Sequence, residues 1–119
     1  MIISDLLSSG SKILKYNKIQ THQIDSELIL SNLLNQQREK IIINSHNKVY
    51  KSTINEFNRL ITRRSTSEPL AYIFKNKEFW SKNFFVNKNT LIPRPETELL
   101  CDIVIKTLKN KNPFILDIG

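Results

Sequence analysis

Apolar residues recur at three- and four-residue intervals through residues 1–66, and that period commits the front of the chain to helices. Ile2, Ile3, Leu6, Leu7, Ile13 and Leu14 fall on one face of a first helix. Gly10 interrupts it, at a propensity cost of about 1 kcal/mol. A second helix is predicted to begin after Thr21, an N-cap type, and to run through Ile24, Leu28, Leu30, Leu33 and Leu34. Asp25 and Glu27 fall in its first turns, where negative charge complements the helix dipole. From about Arg38 to Asn44 the pattern suits a short helix or turn, and Ile41-Ile42-Ile43 would equally suit a strand. A further helix spans about Lys48 to Arg64, with Tyr50, Ile54, Phe57, Leu60 and Ile61 facing inwards. Four short amphipathic pieces joined by polar loops make a helical bundle over residues 1–66.

The character changes at Ser65-Thr66-Ser67-Glu68-Pro69, a polar stretch that reads as a helix stop and a boundary. Residues 67–93 form a linker. Within it, Lys77-Glu78-Phe79-Trp80 and Phe84-Phe85-Val86 flank Ser81-Lys82-Asn83 as a β-hairpin, and Thr90-Leu91-Ile92 could extend the sheet. Pro95 then opens a helix where its missing N–H costs nothing. Glu96 and Glu98 sit in that helix's first turn, and Leu99, Leu100, Ile103, Val104 and Leu108 are predicted to line a buried face. Phe114-Ile115-Leu116-Asp117-Ile118-Gly119 reads as a buried strand of a parallel sheet, covered on both faces by helices.

Composition narrows the function. Hydrophobic residues at 39% and charged residues at 24% exclude collagen-like, proline-rich and strongly disordered classes. The absence of both a basic, apolar leader and a run of roughly 20 apolar residues points to a cytoplasmic protein without a membrane partner. The single cysteine, Cys101, lies in an apolar-periodic stretch and reads as a buried, inert thiol. Net charge is +7, divided as +5 over residues 1–66 (10 basic, 5 acidic) and +2 over 67–119 (8 basic, 6 acidic). Thirteen of the eighteen positive charges are lysine, alongside an excess of Ile and Asn. Solvated lysine from a biased composition explains this better than a nucleic-acid surface, and no direct nucleic-acid binding is expected.

No Cys/His cluster has metal-ligand spacing, and His22 and His46 read as ordinary surface histidines. The chemistry-bearing signals lie late in the chain. A buried strand ending Leu116-Asp117-Ile118-Gly119 is how a nucleotide-type cofactor site begins in doubly wound folds, although buried strands of many kinds end this way. Leu91-Ile92-Pro93-Arg94-Pro95-Glu96-Thr97-Glu98 is more specific. Two prolines stiffen the approach to a helix N-terminus, as a structural turn or as a rigid lip over a pocket with N–H groups offered to an anion.

These residues resemble a family. Asp25-Ser26-Glu27-Leu28-Ile29-Leu30, Arg63-Arg64, Glu68-Pro69-Leu70-Ala71-Tyr72-Ile73, Lys77-Glu78-Phe79-Trp80 with Phe85-Val86, the Thr90–Glu98 run and Ile115–Gly119 are similar, in order and approximate spacing, to the glutamine-N5 methyltransferases of peptide-chain release factors. Pro93-Arg94-Pro95-Glu96-Thr97-Glu98 resembles the release-factor branch; relatives acting on a ribosomal-protein glutamine usually carry a Pro-Arg-Ser-Pro type variant there. The resemblance implies an α+β chain: an N-terminal helical bundle that docks release factors, a β-hairpin linker, and over residues 94–119 the first helix and strand of a Rossmann-like methyltransferase domain that stops before it is complete. It implies S-adenosylmethionine as cofactor, held by Asp117, Ile118 and Gly119, with Arg94 and Thr97 as secondary contacts. It implies a monomer. The family's remaining glycines, its ribose-binding acid and its Asn-Pro-Pro-Tyr motif do not occur in these 119 residues, so no catalytic residue is expected among them. A stand-alone docking module, or methylation of a ribosomal protein or of an adenine in nucleic acid, are the alternative readings.

Overall fold

A computed structural model describes residues 1–118; Gly119 lies outside the described residues. The chain is α+β, six helices and one two-stranded antiparallel sheet among the described residues, and it divides into two compact units, Met1–Phe74 and Lys75–Gly119.

The first unit is helical. Helices α1 (Ile3–Tyr16), α2 (His22–Leu34), α3 (Arg38–Ile43) and α4 (Lys51–Ser65) enclose one core, in which Leu6, Leu14, Ile29, Leu30, Ile41, Phe57 and Ile61 are all but inaccessible to water. Backbone groups from neighbouring loops serve several of the helix ends. Ile3 and Ser4 donate to the carbonyls of Asn47 and Ser45 at 3.0 and 2.9 Å, so the loop after α3 serves the orphan donors of α1. At the other end of α1, Lys18 takes a left-handed φ of 63°, and Ile19 donates to the Leu14 carbonyl while Lys18 donates to that of Lys15. Asn35 closes α2 in the same way, Gln36 reaching back to Ser31.

Gly10 interrupts nothing. It is buried at the point where α1 meets Phe57 of α4, and a methyl there would lie 2.7 Å from the Phe57 ring and 2.8 Å from Ser26 Oγ. A side chain would overpack the core by more than the helix propensity it recovers.

Two sequence expectations for this unit are corrected, on which side chains face inwards and on the acids of α2. Ile13, Ile24 and Tyr50 are exposed rather than inward-facing; Tyr50 precedes α4 as its N-cap. Thr21 is the N-cap residue of α2, as expected, although its hydroxyl donates to Asp25 Oδ2 at 2.9 Å and makes no side-chain capping bond. In α2 the buried residues include Asp25, Ser26 and Glu27, because each finds a polar partner inside. The polar stretch from Ser65 stops α4 as expected, and Pro69 then opens α5 (Leu70–Phe74): Tyr72 and Ile73 donate to its carbonyl, and α5 belongs to the first unit and buries Ile73.

The second unit holds β1 (Asn76–Phe79), β2 (Lys82–Phe85) and α6 (Pro95–Leu108). Asn76 pairs with Phe85 and Phe79 with Lys82, so the turn is the two residues Trp80-Ser81 and not Ser81-Lys82-Asn83. Residues 90–92 form no strand. Helix α6 starts where expected, with Pro95 at its first position. It buries none of its residues: Leu99, Leu100 and Ile103 are more than half exposed. Residues 114–118 likewise make no strand and stand open to solvent. A parallel strand exists only through a neighbouring strand, and the hairpin offers it none among the described residues.

Candidate functional site

In the first unit, the residues that carry the family resemblance form a set of ion pairs. Arg64 Nε donates to Asp25 Oδ2 at 2.8 Å, joining α4 to α2 across 39 positions with both groups largely buried. The same guanidinium donates to the Glu68 carbonyl at 3.1 Å. Arg63 grips the Glu68 carboxylate with two bonds of 2.9 and 2.6 Å. Those bonds favour the ionised form and hold Glu68 below the usual carboxylate range. Glu27 lies 3.1 Å from Arg38 Nε, a charge contact without the alignment of a hydrogen bond. The Arg63-Arg64 and Asp25–Glu27 signals are therefore clamps that seal the bundle's polar seam.

Beside that seam lies a groove of about 410 Å³ lined by Ser4, Ser8, Ser11, Gln23, Glu27 and Ser45. Sequence reasoning passed over it, though Ser4, Ser8 and Ser11 repeat at helical spacing and so had to share one face of α1. His22, taken as an ordinary surface residue, places Nδ1 2.7 Å from Ser11 Oγ.

In the second unit, Arg94 is the N-cap residue of α6 but makes no capping bond with its side chain. Thr97, in the first turn, donates its N–H to the Arg94 carbonyl at 3.1 Å. Both are exposed. Asp117 borders a cavity of about 480 Å³ whose other walls include Trp80, Leu100, Cys101, Val104, Ile105 and Leu116. Arg94 and Thr97 do not line it. Cys101, expected to be buried, is half-buried at its rim. Ile118 is exposed, and Gly119 falls outside the described residues. Asp117 has no hydrogen-bond or ion-pair partner among the described residues. No cluster of His, Cys, Asp and Glu among the described residues could hold a metal ion.

The family profile described as the PrmC N-terminal domain matches residues 5–74, ending where the first compact unit ends. The chain belongs to the PrmC N-terminal domain family. Curated relatives of this chain extend the likeness into the second unit. A release factor glutamine methyltransferase of Buchnera aphidicola is 39% identical over 107 residues, 90% of this chain and 39% of the relative. One of Clostridium botulinum is 38% identical over 112 residues, 94% of this chain and 40% of the relative. A bifunctional methyltransferase of Rickettsia conorii is 36% identical over 104 residues, 87% of this chain but 20% of the relative. The chain thus spans about two fifths of the length of the first two. Against the PrmC N-terminal domain match, the Asp25–Arg64 and Arg63–Glu68 clamps lie inside the matched span, whereas Arg94, Thr97 and Asp117 lie beyond it.

Proposed function

We propose that the protein serves methylation of the side-chain amide of the glutamine in the Gly-Gly-Gln motif of peptide-chain release factors, with S-adenosylmethionine as donor. One observation carries this reading: identity of 38–39% along 90–94% of the chain to relatives named release factor glutamine methyltransferase. In this reading the bundle of residues 1–66, completed by α5, docks the release factor, and the second unit opens a Rossmann-like domain. The setting is the cytoplasm and the enzyme a monomer.

A side-chain amide is a poor nucleophile, because its nitrogen lone pair is delocalised into the carbonyl. Catalysis therefore rests on holding that nitrogen in line with the methyl group and on polarising the amide through hydrogen bonds. Bound S-adenosylmethionine supplies an electrophilic methyl on a positively charged sulfur. Of the residues here, Asp117 offers the free carboxylate and Trp80 the aromatic wall, followed in the chain by Ile118 and Gly119. Arg94 and Thr97, at the start of α6 and outside the lining of that cavity, are the secondary contacts of this reading. No Asn-Pro-Pro-Tyr segment occurs in the 119 residues to hold the amide, so these residues dock without catalysing.

Calorimetry of the 119-residue chain separates the parts of this proposal. A saturable heat with a release factor is expected, undiminished when the Gly-Gly-Gln glutamine is replaced, together with negligible heat from S-adenosylmethionine. No saturable heat with any release factor, from a chain shown to be folded, would remove the docking role. Tight cofactor binding would overturn the division of labour.

A further inference from the structure

A two-residue hairpin turn with both central residues at positive φ is built for Asn-Gly or Asp-Gly, since other side chains crowd the backbone there. This chain puts Trp80 (φ 50°) and Ser81 (φ 57°) at those positions. A bulky aromatic residue in the left-handed region is an outlier, and such conformations persist only where the surroundings over-determine them.

The over-determining groups come from α6. The Trp80 backbone N–H donates to Glu98 Oε1 at 2.7 Å, and its indole Nε1 donates to Asp102 Oδ1 at 3.0 Å. Glu98 and Asp102 stand at i and i+4, neighbours on one helix face, so a single residue is held through its main chain and its side chain at once. Lys82 Nζ lies 5.8 Å from the indole centroid, giving the ring a cation from the hairpin as well.

The contact between residues 80 and 98 closes a loop, and that loop contains Pro93, Arg94, Pro95 and Thr97. It has little slack. Asn87 accepts from the N–H groups of Thr90 and Asn89, each at 2.9 Å, through its main-chain and side-chain carbonyls. The two prolines fix φ on either side of Arg94.

We infer that Trp80 is a positioning residue: latched by Glu98 and Asp102, it fixes the Pro93–Thr97 segment, and Glu98 acts as acceptor for the hairpin turn rather than as a ligand contact. Its bearing on catalysis rests on the reading of Arg94 and Thr97 as secondary cofactor contacts. The latch itself does not.

Trp80 is the single tryptophan, so emission excited to the red of the tyrosine absorption band reports this site alone. Glu98→Ala is expected to shift that emission to the red. In the same variant, backbone order parameters at residues 94, 96 and 97 fall from about 0.85 to below about 0.6. Glu98→Gln, which keeps an acceptor oxygen, restores both. Should Glu98→Ala melt the hairpin, Trp80→Gly/Glu98→Ala decides the matter, because glycine takes the turn conformation unaided. The hairpin then reforms, and the order parameters stay low. Unchanged order parameters in Glu98→Ala with an intact hairpin, or full rigidity in the double variant, would overturn the inference. Neither readout uses a methyl donor or a release factor, so the latch and the methyltransferase reading fail separately.

Discussion

Two helices of this chain carry apolar faces at helical spacing and meet opposite fates. In α4, Phe57 and Ile61 are wholly covered; in α6, Leu100 and Ile103 are 59% and 52% exposed. The period of a sequence tells which residues share a face, but not whether that face finds a partner. In the first unit, α1 and α2 supply the partner for α4, and the Asp25–Arg64 clamp fixes how they meet. In the second unit a lone helix, a hairpin and an extended segment leave most of their apolar side chains in water; among the described residues, Val86 is the one apolar side chain buried there.

Truncating the two faces would break or sharpen that contrast. Phe57→Ala empties the centre of the bundle and is expected to destabilise the first unit by about 3–5 kcal/mol in urea titrations. The matching cut in the second unit, Leu100→Ala, removes a side chain that is already solvated and should fall within about 0.5 kcal/mol of the parent. Equal losses would show that α6 is packed after all.

A smaller effect comes from acid. The Arg63 clamp depresses Glu68, so its contribution is present above the unfolded-state pKa of about 4.3 and is lost as pH falls through the lower folded-state value. Because both partners keep about a third of their side chains in solvent, the gain is about 1 kcal/mol or less. Stability of Glu68→Gln measured from pH 6 to 2 should lie slightly below the parent at the upper end, and the gap should close below about pH 4. Glu56 is also held low, by hydrogen bonds from the Arg59 guanidinium at the surface of α4.

The bundle was legible because its helices are set by local period, and α1, α2, α4 and α6 begin within a few residues of where the spacing puts them. The burial of Asp25 and Glu27 was not, since acids in a first turn look like solvated dipole partners until Arg64 and Arg38 arrive from distant positions. Gly10 looked like a flaw, because the ring that needs its missing side chain lies 47 residues later. The hairpin itself was readable from its aromatic runs. Its turn was displaced because Trp80-Ser81 lacks the residues such turns favour and depends on carboxylates of α6. At the candidate site, Pro95 announced the start of α6 and placed Arg94 at its cap. What Asp117 faces depends on tertiary neighbours, which spacing does not reveal.

Amide hydrogen exchange on the intact 119-residue chain tests the two-unit contrast most directly. Amides beside Leu6, Ile29 and Phe57 are expected to exchange only through global opening of the bundle, while those of α6 and of residues 114–118 exchange orders of magnitude faster. Common, uniform protection from α1 through α6 would mean that the chain opens as one cooperative body, and the contrast drawn between its halves would be wrong.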